Sequence, residues 1–536
     1  MNIPKIKITD PFKSLVFDRI VRAAAEYYGA EIIRDISGQA DVHFVLFDAA
    51  QENLELSNLR SSTLFIPYRK VSHSEKKISI TFIEDESSVA PVFHGRTLTE
   101  KDVECIDISS FEQFDTIVAH NENVPVWKKT VKDMIDVHVI STLLSEKYHN
   151  LPVYQILRRE RFFTALAVFN FIRMHCHESI WHYPQLRASL TIDDPNLHSM
   201  DYGYLSYNTL VEQLKYLDGH ATIATVPFDL LFYQNKKVID FVKKNSRYVS
   251  LCAHGLFHLK GDLKNNKHTS LSPAAYLKWA DMVMRRFENK TGLMISRLFI
   301  PPHERLGIDF LIAAQSIKCL GFCLGGKPNG ITTDIDPDEI TTGITPATWS
   351  YEIPIYLREN LAIFSKSAPD VGIQQDLLLQ AFLNKPLFLC CHHNDFRDGY
   401  QTMQKAVNYI NSIEDVIWSD TDKICQNNFA FRRNGSCLDI KLFTTNAKIS
   451  VPDWCQSVRI LNRSANDISV ISGEIVCCPT EEFEFPLNDH RDISIIQILK
   501  NREITKNTIS PMLFLQAFVR RIACEGRDRL LPISRK

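Results

Sequence analysis

The sequence lacks a surplus of charge of either sign, and it also lacks repeats, low-complexity tracts and long apolar runs. Its 61 Lys and Arg nearly balance its 63 Asp and Glu, which leaves a formal net charge of -2. This balance gives no electrostatic reason to expect a nucleic acid or an anionic membrane as a partner. The most apolar helical stretch, Phe162 to Ile172, is too short to span a bilayer and contains Asn170. We therefore expect neither a nucleic-acid-binding nor a membrane-spanning protein.

An export signal and a disulfide framework are also missing. Residues Met1 to Asp10 lack the apolar core of a secretory signal. The 13 cysteines are odd in number and scattered, and some lie in apolar runs, such as Cys390-Cys391. Such cysteines are typical of reduced thiols that pack in a core. These features together predict a cytoplasmic protein.

At 536 residues the chain is long enough for two to four domains. Residues 1–150 mix helical stretches, Leu15 to Tyr28 and Val126 to Lys147, with short strands such as Val42 to Phe47. This pattern predicts an α/β domain, and it has no glycine-rich phosphate loop and no clustered His or Cys to suggest a role. Residues 151–184 read as a helical connector.

Residues 185–420 alternate regularly between short apolar stretches and stretches of helical period. The seven candidate strands are Ala188 to Ile192, Thr222 to Val226, Tyr248 to Cys252, Arg297 to Ile300, Cys319 to Leu324, Leu361 to Phe364 and Leu387 to Cys391. Alternation of this kind predicts a parallel sheet covered by helices. Seven strands in one stretch favour a barrel over an open sheet.

Residues 425–536 lose the helical period. Short alternating stretches flank Asn434-Gly435, which is a hairpin signal. We expect a β-sandwich-like C-terminal domain, followed by a terminal helix near Pro511 to Cys524.

Polar groups follow four of the seven candidate strands of the central region. They are Asp193-Asp194-Pro195, His254 with His258, Pro301-Pro302-His303-Glu304 and His392-His393-Asn394-Asp395. In a parallel α/β barrel, functional groups collect at the carboxyl ends of the strands. Two imidazoles and one carboxylate hold a divalent metal and leave a position open for water, and the neighbouring carboxylate is placed to act as a general base.

Each of these signals has a plainer interpretation when it is taken alone. Asp-Asp-Pro is common turn chemistry, and a His-x-x-x-His pair arises by chance on many surface helices. Pro301 to Glu304 fits a rigid loop as well as it fits a site. Their convergence at strand ends favours the metal site.

These motifs resemble those of the polysaccharide deacetylases, the NodB-homology or carbohydrate esterase family four superfamily, and their context is similar to a divergent bacterial branch. Thr191-Ile192-Asp193-Asp194 matches the Thr-Phe-Asp-Asp motif, and His254 to His258 matches His-Ser/Thr-x-x-His. Phe299 to His303 half matches Arg-Pro-Pro-Tyr, and Leu387 to His392 matches the last motif, a strand that ends in His. The resemblance covers residues 185–415 and implies a distorted (β/α)7 barrel.

The resemblance implies a role for each matched position. The implied general base is Asp193, and the implied metal ligands are Asp194, His254 and His258. The backbone N–H after Pro302 would form part of an oxyanion hole, and His392 or His393 would be the general acid. Further site positions are His303 in place of the motif Tyr, Arg297 or Arg305 in place of the missing motif Arg, and Asn196 and Asp395 as substrate-binding neighbours.

The sequence therefore predicts a metal-dependent hydrolase that removes an N-linked or O-linked acyl group from a glycan or sugar conjugate. Acetyl is the first choice of acyl group. Zinc is the first choice of metal. Two alternatives stay open: a catalytically inactive glycan-binding or assembly protein, and a metal-dependent amidohydrolase with a non-sugar substrate. The inactive alternative draws on Ile300, which replaces the motif Arg, and on Gly255, which replaces a hydroxyl residue that stabilises the loop.

Overall fold

The structure is a computed structural model of the full chain. It describes residues 3–33, 39–51, 53–69, 76–84, 87–101, 103–144, 146–157, 162–232, 234–259, 262–264, 271–325, 343–365, 371–461, 468–472, 474–478, 483–487, 491–497 and 511–530.

The N-terminal region forms a mixed nine-stranded sheet with the strand order β2-β1-β3-β4-β9-β8-β7-β5-β6. Its elements are β1 (Lys5–Thr9), α1 (Leu15–Tyr28), β2 (Glu31–Ile33), β3 (Val42–Asp48), β4 (Ser62–Tyr68), β5 (Ile78–Phe82), β6 (Thr97–Glu100), β7 (Thr116–Asn121), β8 (Val124–Lys132) and β9 (Ile135–Ile140). Strands β2, β1, β3, β4 and β9 run parallel, and the remaining pairs are antiparallel.

The prediction of a helix over Val126 to Lys147 is wrong, because this stretch contains most of the β8–β9 hairpin. The stretch is rich in β-branched residues, which favour pleated strands over helices. The two residues between the strands, Asp133 and Met134, both have positive φ values of 51° and 66°. A tight two-residue turn of this kind matches the twist of a hairpin.

A buried helix joins the N-terminal sheet to the rest of the chain. After α2 (Val153–Gln155), helix α3 (Phe162–His175) has no exposed residue from Phe162 to Ile172. A helix that is apolar on every side lies inside a core. One continuous cluster of buried side chains runs from Phe44 of the sheet through Phe169 to Leu190 of the next region.

The central region is a closed barrel of seven parallel strands, so the predicted fold class is confirmed. The ring runs β10-β13-β14-β15-β16-β18-β19 and returns to β10. The elements of the region are β10 (Arg187–Asp193), β11 (Asp201–Tyr202), β12 (Leu205–Ser206), α4 (Tyr207–Leu217), β13 (Ala221–Thr225), α5 (Lys236–Lys244), β14 (Val249–Ala253), α6 (Pro273–Thr291), β15 (Ser296–Phe299), α7 (Ile308–Ala314), β16 (Gly321–Gly325), β17 (Thr348–Ser350), β18 (Ile353–Asn360), α8 (Val371–Phe382), β19 (Leu387–His392), α9 (Gln401–Asn411), β20 (Ile417–Trp418) and α10 (Thr421–Gln426).

The sixth strand of the barrel is misplaced in the sequence prediction. Leu361 to Phe364 form a 3-10 helix, and the strand is β18, which ends at Asn360. The side chain of Asn360 accepts the N–H of Ala362 and so starts the 3-10 turn. The apolar stretch that we assigned to a strand is instead the buried turn that follows it.

The C-terminal region contains two four-stranded sheets with a shared apolar core. The elements are β21 (Phe429–Asn434), β22 (Cys437–Leu442), β23 (Asn446–Ser450), β24 (Ser457–Leu461), β25 (Ile468–Ser472), β26 (Glu474–Cys478), β27 (Phe483–Pro486), β28 (Asp492–Gln497) and α11 (Pro511–Leu530). The hairpin across Asn434-Gly435 is present, and Ile440 and Ile495 come from different sheets into one cluster. None of the helices in the described ranges has both the length and the apolarity needed to cross a bilayer.

Candidate active site

Two adjacent carboxylates lie at the carboxyl end of β10. Asp193 is the last residue of the strand, in register with His392 of β19, and Asp194 follows it with a φ of 82°. Neighbouring side chains of a strand point to opposite faces. The left-handed backbone at Asp194 breaks that alternation, so both carboxylates lie at the same end of the barrel with separate partners.

Asp194 meets two imidazoles that come from the loop after β14. Its Oδ1 lies 3.0 Å from Nε2 of His258 and 3.6 Å from Nε2 of His254. The three ligand atoms all lie within 4.8 Å of one another. A tetrahedral zinc site with bonds of about 2.0–2.1 Å separates its donor atoms by roughly 3.3 Å. The donor set and its spacing therefore fit a divalent metal ion.

Hydrogen bonding and burial give His254 the properties of a predicted metal ligand. Its Nδ1 lies 2.9 Å from the carbonyl oxygen of Ile300. A proton on Nδ1 makes this bond and leaves the lone pair of Nε2 facing Asp194. Burial lowers the pKa of His254 to about 4, which favours the neutral imidazole that a metal requires.

Asp262 supports the loop that carries His258. Its Oδ2 accepts the backbone N–H groups of Leu256, Phe257 and His258, at 3.3, 3.1 and 2.7 Å. The Asp262 carboxylate thus stabilises the loop in place of the side-chain hydroxyl that Gly255 lacks. The loop also requires glycine there, because φ is +64° and a Cβ would lie 2.7 Å from Oδ2 of Asp262.

Arg358 of β18 holds Asp193 in a bidentate ion pair. The two guanidinium nitrogens lie 2.8 and 2.7 Å from the two carboxylate oxygens, and both side chains are buried. Burial alone would raise the pKa of Asp193, but the guanidinium outweighs it and holds this pKa below its usual value. Asp193 is therefore an ionised carboxylate in a fixed orientation beside the predicted metal ligands.

Sequence reasoning missed Arg358 because it placed the sixth strand after it. Neither Arg297 nor Arg305 is brought to Asp193 by the structure. Arg297 pairs with Asp281 at 3.1 Å and with Glu288, and Arg305 is exposed. The available signal was an arginine directly after the apolar run Ile353 to Leu357, since an arginine next to a buried strand needs a partner.

The two histidines after β19 have different surroundings. Nε2 of His392 lies 4.0 Å from Oδ2 of Asp194, and the side chain is 55% exposed. His393 is buried against Tyr202 and Tyr204, with ring centroids 5.4 and 6.2 Å away. The structure thus brings His392, and not His393, to the predicted metal ligands.

The remaining predicted positions have mainly structural contacts. Asp395 accepts the backbone N–H of His392 at 2.8 Å, and Asn196 accepts that of His198 at 3.1 Å. Pro302 is buried beneath the loop of Gly255. His303 is exposed, has a φ of 59°, and lies with its ring centroid 5.1 Å from that of His258.

Comparison with known proteins supports the fold and no closer assignment. No protein-family model and no curated protein matches the chain. The crystal structure of Agd3, described as a novel carbohydrate deacetylase, matches with a TM-score of 0.51 and 8% identity over 92% of this chain and 99% of that one.

Two further matches cover less than half of this chain. They are the peptidoglycan deacetylase PdaC from Bacillus subtilis, at 15% identity over 45% of this chain and 91% of that chain, and a family 4 carbohydrate esterase from Streptomyces lividans in complex with acetate, at 12% over 42% and 86%. Their TM-scores are 0.24 and 0.25, which are too low to show a shared fold. The match to Agd3 shows a shared fold, and the family assignment from the motifs stays a prediction.

Proposed function

We propose that this protein is a metal-dependent hydrolase that removes an acyl group from the amide nitrogen of a glycan or sugar conjugate. Acetyl is the first choice of acyl group. The observation that carries the proposal is the pair of neighbouring carboxylates with separate partners. Asp194 lies against two histidines, while Asp193 lies against an arginine and is kept ionised. One carboxylate is thereby available as a ligand and the other as a base.

Asp194, His254 and His258 would hold the metal, and zinc is the first choice for two imidazoles and one carboxylate. A divalent ion in such a site supplies Lewis-acid polarisation of water and of the acyl carbonyl. Asp395 would position His392, because its carboxylate accepts the backbone N–H of His392 and fixes the end of β19.

Asp193 would take the proton from the attacking water, whose oxygen forms the new bond to the acyl carbon. Arg358 orients Asp193 for this step by holding both of its oxygens. His392, on the open side of Asp194, would donate a proton to the amine as the carbon–nitrogen bond breaks. The products are the free amine and acetate.

The contacts of Arg358 and Asp262 favour an active hydrolase over an inactive relative. The missing motif arginine is matched by a guanidinium from another strand that reaches the same carboxylate position. The missing hydroxyl at Gly255 is matched by the Asp262 carboxylate, which binds three N–H groups of the loop. An inactive protein has no need of an ionised, buried base held by a buried cation, which costs desolvation free energy.

The test is acetate release from N-acetylated oligosaccharides by zinc-reconstituted protein, with metal content measured on the same samples. We expect the wild type to release acetate and Asp193→Asn to lose turnover by about a hundredfold or more while it keeps its metal. The matched control is Asp240→Asn, an exposed carboxylate on α5 that pairs with Lys236. Turnover of Asp193→Asn equal to that of the control would refute the assigned base.

A further inference from the structure

The C-terminal helix α11 lies over the carboxyl end of β13, beside the site. Phe514 and Phe518 pack against Phe228 and Phe232, with ring centroids as close as 5.1 and 5.4 Å. Arg521 pairs with Asp229 in the 3-10 helix that follows β13. The helix is therefore anchored by both apolar and ionic contacts to the barrel end that carries the metal ligands.

Arg520, on the same helix, reaches a predicted metal ligand. Its guanidinium donates to Nδ1 of His258 and, at 3.3 Å, to the carbonyl oxygen of Phe257. A neutral imidazole that binds a metal through Nε2 carries its proton on Nδ1. His258 cannot then accept from Arg520, so a metal-loaded site leaves guanidinium N–H groups that need another acceptor.

Acidic side chains on the neighbouring elements are already engaged. Asp229 is paired with Arg521, and Glu304 is paired with Arg358. Asp194 is the predicted metal ligand. None of these three carboxylates is therefore available to pair with Arg520 when His258 binds a metal.

A second guanidinium lies on the same rim of the site. Arg305 is exposed and has no hydrogen bond or ion pair within the described part of the chain. It belongs to the loop of His303, whose ring lies 5.1 Å from that of His258. Arg305 and Arg520 therefore belong to two elements that both approach His258.

We propose that Arg520 and Arg305 bind an anionic group of the substrate, so that the protein acts on an acidic glycan carrying a carboxylate or a phosphate. The inference deepens the proposed function and rests on it for the nature of the substrate. A guanidinium presents a planar fork of donors that fits either anion, and such charge-assisted bonds are roughly twice as strong as neutral ones. Arg520 is a specificity-determining residue that the C-terminal region contributes to the barrel.

The test is calorimetric binding to zinc-reconstituted full-length protein with two pairs of probes. Chitotetraose is compared with a hyaluronan tetrasaccharide, in which glucuronate alternates with N-acetylglucosamine, and N-acetylglucosamine is compared with its 6-phosphate. In one of the two pairs, we expect the acidic probe to bind about tenfold more tightly than the neutral probe. The pair that shows this preference identifies the anion as a carboxylate or as a phosphate. Arg520→Gln and Arg305→Gln together should abolish this preference for the acidic probe.

Arg286→Gln is the matched control, because Arg286 is an exposed arginine on α6. Equal affinities for acidic and neutral probes, no binding of any probe, or a preference that survives in the double variant would overturn the inference. Acetate release is measured separately. Arginine-dependent binding of an acidic probe by a protein that releases no acetate would refute the proposed function and leave the anion site standing.

Discussion

Replacing Arg358 with methionine tests the ion pair on which the proposed base depends. Arg358 and Asp193 are each almost completely buried and share two hydrogen bonds of 2.8 and 2.7 Å. Removing one partner of a buried pair costs about 3–5 kcal/mol, because it leaves an uncompensated charge in the core. We expect Arg358→Met to lose this much stability and to show a lower midpoint of urea unfolding.

The same substitution changes the titration of the base. The guanidinium holds the pKa of Asp193 below its usual value, so its removal raises that pKa. The acid limb of the pH–activity profile should therefore move to higher pH in the variant. Restoring a cation with Arg358→Lys should move the limb part of the way back.

Two further variants separate this effect from a general loss of packing. Adding Asp193→Asn to Arg358→Met removes the uncompensated charge, so the double variant should be more stable than the single one. Arg285→Met removes an exposed guanidinium from Asp281, which keeps its ion pair with Arg297, and should change stability by less than about 0.5 kcal/mol. An Arg358→Met protein as stable and as active as the Arg285→Met protein would show that the ion pair with Asp193 supports neither the fold nor catalysis.

Three more variants test other parts of the site and the barrel. Gly255→Ala should weaken metal binding and should destabilise the protein by more than Gly435→Ala does. The value of φ is similar at both positions, +64° and +62°, but only at Gly255 would a Cβ meet Asp262 and Pro302. Equal effects of the two substitutions would contradict a steric role of Gly255. His392→Gln should lower acetate release by about a hundredfold without changing metal content, and loss of the metal would instead make His392 a ligand. Burial lowers the pKa of His220 to about 4, so the unfolded chain binds a proton that the folded one does not between about pH 6.5 and pH 4. The free energy of unfolding of the wild type should therefore fall by about 2 kcal/mol relative to that of His220→Gln on going from pH 7 to pH 5. Thermal midpoints of the two proteins that change in parallel over this range would refute the shift.

The barrel was predictable because its strands are short apolar runs that end in polar groups at regular intervals. Polar residues at the ends of four such runs indicated Asp193, Asp194, His254 and His258, which the structure brings together. The prediction failed where local sequence does not determine the element. Leu361 to Phe364 is as apolar as a strand, but it forms a 3-10 turn that begins where the Asn360 side chain accepts the N–H of Ala362.

The partners of the site residues were less accessible to sequence reasoning. Arg358 reaches Asp193 across the barrel, from 165 positions away in the chain, and Arg520 reaches His258 from 262 positions away. Local periodicity carries no information about pairs at that separation. The choice between His392 and His393 also needed the barrel, because the register of β19 against β10 decides which of them lies beside Asp194.

The zinc content of purified protein, measured by elemental analysis after reconstitution and dialysis, tests the metal site most directly. We expect one ion per wild-type chain, and much less than one for Asp194→Ala and for His258→Ala. Asp193→Asn, which changes the neighbouring carboxylate, should keep one ion. A wild-type protein without a bound ion, or an Asp194→Ala protein that binds zinc as the wild type does, would show that Asp194, His254 and His258 do not form a metal site.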